Sequence, residues 1–104
     1  SMTDAGSCRA DVWLWRARFF KTRSMASRFV EEGRLRLTRA GSEGRIDKAS
    51  RGLKIGDELV FALGGRVVAV RIEAFGERRG PPGEARALYS VTLGAESAEP
   101  ATPV

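Results

Sequence analysis

The sequence predicts a small α+β domain, a two-helix pair packed on a small antiparallel sheet with a short C-terminal extension. Three observations carry this. A dense apolar run from Asp11 to Phe20 does not alternate, apolar residues do alternate after Gly33, and Gly64-Gly65 separates two further apolar runs of strand length. At 104 residues the chain has room for one core. The expected organisation is a flexible tail over 1–8, one domain over 9–93 and a second flexible tail over 94–104.

In chain order, Asp11 to Phe20 reads as a buried helix with an acid at its start. Lys21-Thr22-Arg23-Ser24 interrupts the apolar pattern. Either hydroxyl can cap a second helix that buries Met25, Ala26, Phe29 and Val30 and stops at Gly33. Arg34 to Thr38 alternates charged with apolar residues and reads as a strand with arginine on one face. Arg39 to Arg45 is turn-rich and reads as a loop, leading through Ile46 to Ser50. Gly56-Asp57 introduces a strand over Glu58 to Leu63. Gly64-Gly65 turns the chain back along Arg66 to Phe75, with Val68, Val70, Ile72 and Ala74 on one face. Pro81-Pro82 marks a loop, and a short helix follows over Glu84 to Tyr89.

Charge is the first functional lead. Lys and Arg number 18 against 13 Asp and Glu, a net +5, and 15 of the 18 are arginine. The excess is concentrated, because residues 9–54 hold 13 basic and 5 acidic side chains, +8, and the remainder carries −3. A one-sided basic domain favours a polyanion, and with no amphipathic anchor beyond a buried helix pair the asymmetry favours RNA over lipid. There is no histidine and one cysteine, Cys8. A zinc finger, a Cys-His site and a Ser-His-Asp triad therefore lack their parts, and no internal disulfide is possible. Cys8 argues for a reducing compartment. With no apolar signal core in Ser1 to Ala10, the chain reads as cytoplasmic. Asp11, Asp47, Asp57 and Glu58 each have a structural role available and no nucleophile beside them, and neither glycine-rich stretch fits a nucleotide loop. No enzyme activity, metal, cofactor or small-molecule substrate is expected.

The residues then point to one region. Lys21, Thr22, Arg23 and Ser24 at a helix start combine cations with donors suited to phosphate, against the plainer reading of a cap flanked by solvated charges. Arg34 and Arg36 lie two apart, which aligns them on one strand face and places a groove beside that junction within easy reach. Trp13 and Trp15 are roughly 200° apart on a helix and read as packing on separate neighbours rather than as a base-stacking platform.

RADVWLWRARFFKTRS (9–24), EEGRLRLT (31–38) and KASRGLKIGDEL (48–59) together resemble the S-four RNA-binding domain, and within it the stand-alone bacterial heat-shock subfamily of about fifteen kilodaltons. Glu77-Arg78-Arg79-Gly80-Pro81 and Leu88-Tyr89 are also similar to that subfamily. The resemblance covers roughly residues 9–90 and implies the alpha-L motif of the S-four domain, binding to structured ribosomal RNA, and a role on the large ribosomal subunit. That role is recognition of free subunits carrying peptidyl-tRNA and their rescue during heat stress. Carried over by position, the RNA-facing residues are Arg9, Lys21, Thr22, Arg23, Ser24, Arg34 and Lys48. Proximity in sequence adds Arg16, Arg28, Arg36 and Arg51. The chain is expected to act as a monomer. Family members usually have an Asn-Gly turn after this arginine strand, where Thr38 to Ser42 reads as a longer loop. The alternative is an RNA-recognition piece of a modifying enzyme such as a pseudouridine synthase.

Overall fold

The computed structural model describes residues 6–93. Helix α1, Ala10–Arg16, is shorter than the apolar run suggests. It stops because Arg18 enters the left-handed region (φ 67°). The Arg18 N–H then bonds the Trp15 carbonyl and the Phe19 N–H bonds that of Leu14, the paired bonds of a Schellman cap. Phe19 and Phe20 therefore enter the core from a linker rather than from a helix face. Helix α2, Arg23–Glu31, is capped by Thr22, whose hydroxyl oxygen accepts from the Met25 N–H at 3.1 Å, and it ends on Gly33 (φ 75°). Ala26, Phe29 and Val30 are buried, but Met25, expected beside them, is half exposed. It lies about 90° from the centre of that face.

Five antiparallel strands follow in the spatial order β3-β2-β5-β6-β7: β2 (Leu35–Arg39), β3 (Ser42–Ile46), β5 (Glu58–Leu63), β6 (Arg66–Ile72) and β7 (Tyr89–Leu93). The stretch Arg39 to Arg45, expected to be a loop, is a hairpin. Its turn is only Ala40-Gly41, both at positive φ (51° and 81°), as a type I′ connection requires. β3 was illegible because SEGRI is exposed at every position but Ile46 and so has no apolar alternation. The Gly64-Gly65 turn (φ 60° and 82°) closes the β5–β6 hairpin where expected.

Strand β6 ends at Ile72, short of Phe75, because the next backbone groups are diverted. Glu73 and Ala74 donate to the Leu88 carbonyl, and the Ala74 carbonyl accepts from the Trp13 indole at 2.8 Å. Helix α3 occupies Pro82–Arg86, earlier than the expected Glu84–Tyr89, with Pro82 in the first turn where a missing N–H costs nothing. Tyr89 instead begins β7, a strand the sequence reading left unassigned.

A second ladder pairs β1 (Cys8–Arg9) with β4 (Gly52–Leu53), so Cys8, assigned above to a tail, belongs to the ordered domain. Of the expected tails, residues 1–5 and 94–104 lie outside the described residues. The α1–α2 pair and one sheet face enclose Trp13, Leu14, Val30, Leu35, Leu59, Val70 and Ile72. Phe19 links this core laterally, with its ring 4.9 Å from Tyr89 and 5.3 Å from Phe61. Trp13 is fully buried and packs on Phe19 and Tyr89, as the packing reading expected of it, while Trp15 is half-buried. The architecture is the expected α+β fold of two helices on an antiparallel sheet. Among the described residues no helix is long and apolar enough to cross a membrane.

Candidate nucleic-acid interface

The basic region is organised by Asp11, a residue read above only as a helix-start acid. Its carboxylate is 4% exposed, yet it faces two guanidinium groups. Arg9 makes a two-pronged contact (Nε–Oδ1 and Nη2–Oδ2, each 3.0 Å), and Arg23 from the first turn of α2 approaches Oδ2 at 3.8 Å. Both arginines remain about half exposed. One buried anion thus fixes two cations from separate elements and leaves one net positive charge at the surface. The hydrogen bond to Asp11 pushes the Arg9 pKa up, so Arg9 stays charged at every working pH.

The loop after β3 is bound to the same place. The Ala10 N–H donates to the Arg51 carbonyl (2.9 Å) and the Asp11 N–H to that of Ala49 (3.2 Å), while Arg51 N–H closes a turn onto the Lys48 carbonyl. Two opening N–H groups of α1, which a helix cannot satisfy internally, are therefore used to dock the loop carrying Lys48 and Arg51 beside Arg9. Lys48 and Arg51 are exposed and line a shallow cleft of about 260 Å³ with Arg45. Among the described residues Lys21, Arg28, Arg45, Lys48 and Arg51 have no ion-pair or side-chain hydrogen-bond partner.

The remaining candidates divide. Lys21, Thr22 and Ser24 are exposed at the start of α2, with the Thr22 oxygen engaged in capping. Arg28 lines a hollow with Phe20, Met25 and Phe29. Arg34 precedes β2 rather than lying in it. It folds back over the Phe29 ring (4.4 Å) and pairs with Glu32 (3.3 Å), so it does not share a strand face with Arg36. Arg36 projects from the solvent face of β2 and is held by Glu43 at 2.9 Å. Arg16 is set apart from this group, because its guanidinium donates to the Gly76 carbonyl at 2.8 Å, with a buried Nε, against the 76–88 segment.

Sequence reasoning gave Asp57 only a structural role and passed over Arg39 and Arg45. Asp57, 2% exposed, grips Arg39 through both oxygens (2.9 and 2.7 Å) and accepts from the Lys54 N–H (2.8 Å). That pairing raises the Arg39 pKa and ties the end of β2 to the turn before β5. The usable signal was register, since Arg39 follows Leu35 and Leu37 on the inward face of β2 and a partly buried arginine there calls for a carboxylate. Cys8 is half-buried, and burial pushes its thiol pKa up. Among the described residues no group of acidic or cysteine side chains could hold a metal.

No protein-family model matches the chain. It is 36% identical over 91 residues to heat shock protein 15 of Escherichia coli K12, covering 88% of this chain and 63% of that protein. The Haemophilus influenzae homologue of heat shock protein 15 is 36% identical over 85 residues, covering 81% of this chain and 60% of its own length. The chain thus spans under two thirds of the length of these curated relatives. Among solved structures, the trimeric structure of Vibrio cholerae heat shock protein 15 superposes with a TM-score of 0.72 at 35% identity, covering 88% of this chain and 86% of that one.

Proposed function

The chain belongs to the heat shock protein 15 family, and from that premise we propose that it is a non-enzymatic RNA-binding protein of the translation machinery. Its ligand is structured ribosomal RNA on the large subunit, with peptidyl-tRNA close by, and its role is rescue of stalled subunits during heat stress in the cytoplasm. The observation that carries this reading is the shared Asp11 carboxylate, which holds Arg9 and Arg23 beside the docked Lys48–Arg51 loop. Such an array has more cations than anions and is exposed, with Arg9 and Arg23 held by Asp11 and the Lys48–Arg51 loop docked by backbone bonds before any ligand arrives. Preorganised guanidinium and ammonium groups suit phosphates of a folded RNA, whose backbone is recognised by shape more than by sequence.

Lys21, Ser24, Arg28 and Arg36 extend the array along α2 and β2, and the Thr22 hydroxyl keeps its own proton to donate. Arg34 contributes through its stacked position over Phe29. Every residue of the array comes from one copy, so a monomer suffices for binding, although the Vibrio relative is described as a trimer. Co-sedimentation tests the reading. The protein is expected to travel with free large subunits rather than with small subunits or whole ribosomes, and Lys21→Ala with Arg23→Ala is expected to reduce that association without unfolding the domain. Equal sedimentation with all particles, or none, contradicts it.

A further inference from the structure

We propose that the β3 edge carries a receptor groove for one unpaired nucleotide of the RNA, an inference that rests on the RNA-binding reading and adds a specificity site to it. The groove has a volume of about 250 Å³ and is lined by Leu37, Ile46, Gly44, Arg39, Arg45 and Arg51. That is below the roughly 300–1,000 Å³ of sites for drug-sized ligands, and it fits one base rather than a stack.

Its origin lies in the sequence of β3. Leu37 and Gly44 are cross-strand partners, flanked by the inward pair Leu35 and Ile46. A side chain at position 44 would stand over Leu37 beside Ile46, but glycine leaves that space open, and a Cβ built there meets nothing within 4 Å. β3 is an edge strand, so the opening faces solvent. The result is an apolar floor at a sheet edge with arginines around it.

Those arginines differ in what they have left to give. Arg39 has its edge consumed by Asp57 and by the Gly52 carbonyl (3.2 Å), which fixes the guanidinium plane in the groove wall, and the side chain keeps about a third of its surface exposed (36%) to meet a base. The Arg51 side chain has no partner among the described residues and keeps both charge and donors for a flanking phosphate, while Arg45, cross-strand from Arg36 and so on the opposite face from Gly44, lines the rim with its guanidinium unpaired. Glu43, the acidic group at this edge, is neutralised by Arg36. A fixed stacking plane, an apolar floor and two free cations match a base with its phosphates. Double-stranded RNA cannot present this combination, because its bases are already stacked.

The test uses the full chain with two labelled RNAs, a short duplex and the same duplex carrying one bulged nucleotide. Wild type is expected to prefer the bulged RNA by about 10-fold, the scale of one base stacked on a protein surface. Gly44→Leu, which fills the groove at a position of ordinary backbone conformation, is expected to abolish the preference while leaving duplex affinity and its salt dependence unchanged. Arg45→Ala is an independent check should the leucine variant fold poorly, and is expected to weaken the bulged complex more than the paired one. Equal wild-type affinity for both RNAs overturns the groove and leaves the RNA-binding reading intact. Binding of neither RNA overturns both. Competition by a poly-glutamate peptide that is lost in Gly44→Leu would reassign the groove to an acidic protein segment and also overturn the proposal.

Discussion

At the start of α1, Arg9 and Arg23 share the Asp11 carboxylate and stay half exposed, while at its other end Arg16, Arg18 and Arg79 bond backbone carbonyls. Arg16 reaches Gly76, Arg18 reaches Gly80, and Arg79 takes the carbonyls of Trp15 and Phe20 at 3.1 and 3.4 Å. The second set closes the C-terminal end of the helix, where cations offset the exposed carbonyl dipoles, and locks the 76–88 segment against it. The first set has more positive charge than its single carboxylate absorbs. Fifteen arginines are therefore not fifteen equivalent phosphate ligands, and which partner each finds decides its role.

Exchanging side chains at the two ends should separate these roles. Replacing Arg23, Lys48 and Arg51 together with alanine is expected to lower ribosomal RNA affinity by about 30-fold or more and to remove about three units from the salt slope, with melting temperature hardly altered. Filter binding at several salt concentrations, beside a thermal melt, reads both. At the other end, Arg16→Ala or Arg79→Ala is expected to cost about 1–2 kcal/mol of stability in urea titrations, since each leaves half-buried carbonyls without a charged donor. RNA affinity per folded molecule should not move. A large affinity loss in Arg79→Ala would erase the distinction drawn between the two ends.

Asp11→Asn discriminates more finely. If total charge alone governed binding, removing an anion from the basic face would tighten the complex. Fixed geometry predicts the reverse, and affinity is expected to fall about threefold with stability lower by about 1–2 kcal/mol. Isothermal titration of the variant against wild type decides the sign. The smallest effect is expected at Ala40, outside both regions, where a non-glycine residue sits at φ 51° in a type I′ turn. Ala40→Asn should raise stability by about 0.5–1 kcal/mol, and RNA affinity should stay where it was.

How much of this was legible follows from what the patterns encode. The α2 helix, its Gly33 stop and the Gly64-Gly65 hairpin were readable because each has a local chemical signature. The end of α1 was not, since Arg18 occupies the left-handed position usually given to glycine, stabilised by a bond to Gly80 distant in sequence. Strand β3 was hidden by its exposure, and β7 by following a proline loop. For the proposed site, charge segregation pointed to the region, and the resemblance named candidate residues. Neither showed that Asp11 joins Arg9 to Arg23, nor that the Lys48–Arg51 loop docks on α1 through backbone bonds. Arg16 and Arg23 look alike in sequence, and only long-range partners tell them apart.

The central claim is that a preorganised cationic face binds RNA by neutralising its phosphates. The most direct measurement is the affinity of the wild-type chain for ribosomal RNA between 50 and 200 mM salt. With about five phosphates neutralised, the binding constant should fall roughly 100-fold to 500-fold over that range. A salt-insensitive constant, or no measurable binding at the lowest salt, would contradict the account.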